Sequence, residues 1–176
     1  MDVETLRENY LPNRIKVLFI AEAKPDTDDR FFYYHKVMTH DHLYLHLMYA
    51  LYDKTKDDTQ YLRNHKTEFL NRFKQDGFYL VDAVDEIKSG TSSPTRTKAI
   101  RTNAANKLAE IRELISKHGD LNTKIVLIKA TVFDALYDLM KDEFNVVNDF
   151  KVNFPSTGNE TKFLQQMKKV VEELRK

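Results

Sequence analysis

Apolar residues along this 176-residue chain gather in short unbroken runs, separated by longer stretches with helical spacing. Four runs predict strands: residues 16–21, 78–84, 124–128 and 145–147. The first three are β-branched or aromatic and do not alternate with polar positions, as in strands covered on both faces of a parallel sheet. Between them the apolar positions recur three and four residues apart. Residues 40–52 place Leu43, Leu47, Ala50 and Leu51 on one face, with Tyr44 and Met48 beside them. Residues 59–73 repeat the pattern with Leu62, Phe69, Leu70 and Phe73 before a turn at Asp76-Gly77. Residues 97–118 carry Leu108, Ile111, Leu114 and Ile115 on one stripe, with Gly119 placed to end the helix. Residues 131–140 and 160–175 predict the last two helices.

Strands alternating with helices predict parallel crossover units. The expected fold is a three-layer α/β/α domain with a central, mostly parallel four-stranded sheet and the first strand internal. One domain spanning residues 1–176 is expected, long enough to bury roughly two-thirds of its unfolded surface. No repeat or linker interrupts the pattern. The segment Ser89-Gly90-Thr91-Ser92-Ser93-Pro94 reads as a mobile loop running into a helix, with Ser93 as N-cap and Pro94 in the first turn.

Composition narrows the chemistry. A content of 41% hydrophobic and 31% charged residues is ordinary for a globular protein. The absence of cysteine excludes disulfides, thiolate zinc sites, cysteine-ligated iron–sulfur clusters and Cys nucleophiles. The first residues lack a basic-then-apolar leader and no apolar run approaches the length of a membrane span, so a cytoplasmic protein without a membrane segment is expected. Net charge is only +1, but it is unevenly spread. Lys88, Arg96, Lys98, Arg101 and Lys107 follow one another with no acidic residue among them, while acids gather at Asp26, Asp28, Asp29, Asp57 and Asp58. Such a basic stripe is either a phosphate-facing surface, with Arg96, Lys98 and Arg101 as the contacts, or a solvated helix face.

Loops at the carboxyl ends of strands in an open α/β sheet converge on one crevice. After the first strand comes Ala21-Glu22-Ala23-Lys24-Pro25, whose small residues admit a ligand close to the backbone and leave Glu22 at the sheet edge. Glu22 is either a site carboxylate or one of several helix-capping acids. Arg30-Phe31-Phe32-Tyr33-Tyr34 follows. Phe31 and Tyr33 offer a stacking platform for a base, with Arg30 for phosphate or cation–π contact. Four consecutive aromatics cannot all point one way, so at least two belong to the core. Asp82 interrupts the apolar run of the second predicted strand, which is costly unless it is paired, lines a cavity or caps a turn. Near the other end, Asn153-Phe154-Pro155-Ser156-Thr157-Gly158-Asn159 precedes a helix. Ser156, Thr157 and Asn159 there suit a phosphate or base edge, or simply lead into the helix. His42 and His46 share a helix face at metal-ligand spacing, but without a third ligand they read as ordinary histidines. No Gly-rich phosphate loop, nucleophile elbow or dinucleotide fingerprint is present, and neither metal nor cofactor is expected.

Together these blocks resemble the uracil-DNA glycosylase-like superfamily. Short-motif members pair a G-E-A-P-G or G-Q-D-P-Y-H type loop after the first strand with an H-P-S-P type loop before the terminal helix. Ala21-Glu22-Ala23-Lys24-Pro25 and Phe154-Pro155-Ser156-Thr157 stand in those places, Leu80 to Val84 resembles the middle strand, and Val126 to Ala130 the later strand-to-helix segment. The resemblance implies a crevice that binds DNA or a nucleotide, with Glu22 or Asp82 as the catalytic carboxylate. It also departs from the pattern. Ala23 stands where several active families have Asp or Asn, Phe154 where they have His, and Asp82 where an Asn commonly reads the uracil edge. An ionised carboxylate cannot donate to a base as an amide does. The implied activity is weak or altered base excision, or binding without catalysis.

Overall fold

The computed structural model describes residues 2–25, 30–35, 39 and 41–176. The predicted acidic positions Asp26, Asp28 and Asp29, and His40 at the expected start of a helix, lie outside the described residues. Four parallel strands, β1 (Val17–Ala23), β2 (Phe78–Val84), β3 (Lys124–Leu127) and β4 (Asn145–Val146), form one sheet in the order β2-β1-β3-β4. The first strand is internal, as its apolar run predicts. Every residue of β1 from Val17 to Glu22 is buried, which requires cover on both faces.

That cover comes from helices α2 (His42–Leu51), α3 (Thr59–Asn64) and α4 (Lys66–Gln75) between β1 and β2, α5 (Ser93–His118), α6 (Ala130–Met140) and the terminal α7 (Glu160–Leu174). The chain moves one way from β1 to β2 and the other way from β2 onward. Right-handed crossovers therefore put α5 and α6 on one face and the helices between β1 and β2 on the other. The packing agrees: α5 and α6 lie against each other and against β1, β2 and β3, while α4 packs on β2 and α7 on α2. On the α4 face, the fully buried Phe19 stacks on Phe73 at 5.8 Å and meets Phe78 edge-on at 6.0 Å.

Several predicted boundaries shift. A short helix, α1 (Val3–Asn9), precedes β1; it buries only Leu6 and so leaves little periodic signal. The expected helix 59–73 is two helices that break at His65. The N-cap of α5 is Ser92 rather than Ser93, its hydroxyl accepting from the Thr95 amide, with Pro94 in the first turn as expected. Strand β1 runs on through Ala23, so Glu22 belongs to the strand and not to a turn. Among the described residues, no helix is long and apolar enough to cross a membrane.

Side chains finish the sheet where backbone runs out. The Tyr33 hydroxyl accepts from the Leu80 amide at 2.7 Å and donates to the Leu80 carbonyl at 3.1 Å, closing the open edge of β2. Beyond the two residues of β4, the wholly buried Asn148 does the same for β3. Its amide oxygen accepts from Leu127 N–H at 2.9 Å, and its NH2 donates to the carbonyls of Leu127 and Phe150. A buried backbone group left without a partner costs about 1–3 kcal/mol. Asn148→Ala, which strands both groups of Leu127, should therefore lose about 2–4 kcal/mol. Urea unfolding should show a lower midpoint at unchanged slope; a loss under about 1 kcal/mol would mean that water replaces the amide.

Candidate functional site

In this strand order the connections from β1 and β3, neighbours in the sheet, leave in opposite directions. Their carboxyl ends form the switch point at which open α/β sheets bind ligands. Glu22 sits there, the penultimate residue of β1, and only 7% of its surface is exposed. A carboxylate so buried must be paired. Its Oε2 accepts from Arg96 Nη1 of α5 at 2.6 Å and from Lys129 Nζ, and its Oε1 accepts from Thr131 Oγ1 of α6 at 2.5 Å. Burial pushes the carboxyl upward, but the bonds from Lys129 and Thr131 and the charges of Lys129 and Arg96 outweigh it. They hold the group below its ordinary value of 4.5. Glu22 is thus ionised at neutral pH, with both oxygens occupied.

Lys129 lies between β3 and α6 with φ +86°, in the left-handed region that favours glycine. Its backbone N–H donates a hydrogen bond to the Val152 carbonyl at 2.8 Å, and its ammonium stands 5.6 Å from the Phe154 ring centroid. Strained residues of this kind cost about 1–3 kcal/mol and gather at functional sites. Arg96 also binds the carbonyls of Thr91 and Lys88, fastening the 88–91 loop beside Glu22. Glu22, Arg96 and Lys129 line a cavity of about 360 Å³ together with Phe31, Phe32, Leu43, Ile87 and Phe154, with Lys24 and the exposed Arg30 also on its wall.

Asp82 lines the same cavity yet belongs to another network. Ala21 is its register partner, so Asp82 and Glu22 leave the sheet on opposite faces. The Asp82 carboxylate accepts from Arg7 Nη2 of α1 at 2.5 Å. Burial nevertheless raises its pKa, against the nearby Arg7 charge.

The other expected site residues are dispersed. Tyr33 is fully buried and committed to the edge of β2, stacked on Tyr10 at 5.6 Å, so it offers no face to a base. Phe31 is also buried and presents only a wall to the cavity. Ser156, Thr157 and Asn159 do not line it; Phe154 is what their loop contributes. Two of the loop's donors are spent internally: Asn159 Nδ2 donates to Ser156 Oγ at 3.3 Å, and the Gly158 amide donates to the Glu160 carboxylate at 2.7 Å. That carboxylate already occupies the place of an anion at the start of α7. Of the basic stripe, Arg96 reaches the cavity, Arg101 donates to the Asp134 carbonyl at 2.7 Å, and Lys98 is exposed on α5. His42 lines the cavity, whereas the buried His46 is bonded through Nδ1 to the His42 carbonyl. No group of three or more metal-binding side chains occurs among the described residues.

Lys129 falls in the Val126–Ala130 segment without a role assigned to it, and Thr131 falls just beyond that segment. Their one signal is position: they follow an apolar run at the start of a helix, which matters only once β3 is known to neighbour β1. No family model, curated protein or solved structure matches this chain.

The Glu22 network has a definite pH signature. Because its folded carboxyl titrates below the unfolded value, its stabilisation is complete above about pH 4.5 and is lost as pH falls through the folded value. The stability gap between the parent protein and Glu22→Gln should be widest near neutrality and shrink on acidification. Urea midpoints measured between pH 7 and 3 test this, and a gap constant over that range contradicts it.

Proposed function

We propose that this protein binds a nucleotide or nucleic acid in the crevice at the carboxyl ends of the strands, with weak or altered base excision. The observation that carries the reading is the floor of the cavity, where two cations surround one carboxylate beneath aromatic and aliphatic walls. That floor holds a surplus positive charge, suited to phosphate, and the walls suit a base. The resemblance of the loops that carry Glu22 and Pro155-Ser156 to those of uracil-DNA glycosylase-like proteins points the same way.

A second reading, a non-catalytic module of the same fold, draws on a specific feature. A general base must take up a proton, but three donors, two of them cationic, hold the Glu22 carboxyl below its ordinary value and so weaken it as a base, and Asp82 is bound to Arg7. Glu22 then serves to position the two cations.

Release of free base from damaged single- and double-stranded oligonucleotides, beside direct binding at two salt concentrations, separates the readings. The expected result is slow or no uracil release with binding that weakens as salt rises. Efficient uracil release refutes the reduced activity, and salt-independent binding refutes the phosphate contacts. Glu22→Gln should strengthen binding several-fold, because it removes the internal anion that competes for Arg96 and Lys129. Arg96→Glu should weaken it tenfold or more, a single buried charge-assisted bond being worth about 1.5–3 kcal/mol. Were Glu22 the catalytic base, Glu22→Gln would instead abolish excision and leave affinity unchanged.

A further inference from the structure

Resting on the reading that this crevice binds a nucleotide or nucleic acid, we infer that its occupant is a single free nucleotide, with its phosphate on Lys129 and its base along the apolar wall. Three observations carry this choice.

The first is the fate of the basic stripe. Duplex binding draws its affinity from several cations spread along a phosphate backbone. Between residues 88 and 107 the fold has already engaged Arg96 with Glu22, Arg101 with the Asp134 carbonyl and Lys107 with Glu110. Lys88, Lys98 and Arg101, whose one bond is to a neutral carbonyl, remain exposed, too few for a continuous footprint. The positive charge that faces a ligand is concentrated at the floor of the cavity.

The second is size. About 360 Å³ lies at the lower end of the range of about 300–1,000 Å³ for small-ligand pockets, sufficient for one nucleotide.

The third is Lys129 itself. Glu22 takes one of its three ammonium donors, and among the described residues no other acceptor takes the remaining two. Its side chain is about one quarter exposed, so the free donors reach the cavity. The left-handed backbone at this position would suit glycine without steric cost, so the lysine is held there against strain. Phe31, Leu43 and Ile87 stand in the same cavity as the ammonium and supply the surface for a base.

Calorimetric titration of the full chain with a nucleoside, its 5′-monophosphate, inorganic phosphate and a single-stranded oligonucleotide is the test. The monophosphate should bind about ten- to a hundredfold more tightly than the nucleoside, the range expected for one charge-assisted contact. Inorganic phosphate should compete with it. Lys129→Gln should lower monophosphate affinity about tenfold and leave nucleoside affinity unchanged, a split that general loss of structure would not produce. The competition measurement uses the unmodified protein and so does not depend on that variant folding. Equal affinity for nucleoside and monophosphate overturns the inference. Oligonucleotide binding without mononucleotide binding overturns it too, while leaving the nucleic-acid reading standing. Binding of none of these probes overturns both.

Discussion

A carboxylate inside a protein must be compensated, and much of this fold is arranged around the compensation of Glu22. Strand β1 delivers it to the switch point of the sheet. Arg96 arrives from the first turn of α5, Lys129 from the end of β3 and Thr131 from the first turn of α6. Two distant stretches of chain, the start of α5 and residues 129–131, are thereby tied to one side chain of β1. Removing one partner of such a buried cluster costs about 3–5 kcal/mol, more than exposed ion pairs contribute. Some exposed pairs, such as Lys117 with Glu113, lie along a single helix, and others, such as Arg112 with Glu143, join two segments but in full contact with solvent.

The same network gives the cavity its character. Two cations and one anion leave a positive surplus where the walls are apolar, and low local polarity strengthens each charge–charge interaction. Asp82 is equally buried but has a different outcome, because it stands on the edge strand β2, where Arg7 alone is bonded to its carboxylate. One residue of register separates a group held ionised by two cations from one whose pKa burial raises.

The edges of the sheet obey a related constraint: unpaired backbone groups must be satisfied or covered. Tyr33 closes β2 and Asn148 closes β3, each by offering donor and acceptor to both groups of a single residue. This explains the aromatic run after β1. Phe31, Phe32 and Tyr33 are all buried, with Phe32 edge-on to Tyr33 at 4.9 Å, and they seal the edge and wall of the sheet rather than project from it.

Local pattern alone determined the elements and their class. Unbroken apolar runs of β-branched and aromatic residues mark parallel strands, and three-to-four spacing marks the helices packed upon them, because burial on two faces or on one leaves its period in the chain. Glu22 and Asp82 stood out for a similarly local reason, a charge inside an apolar run being expensive. Partnership was decided by the tertiary structure. Lys129 and Thr131 lie more than a hundred residues from Glu22, and nothing local pairs them with it; they meet it only because β3 lies beside β1. Likewise nothing local distinguishes Arg96, which reaches the cavity, from Arg101, which is spent on a helix carbonyl. Side-chain identity sets what a charge requires, but strand order and register decide which group meets it.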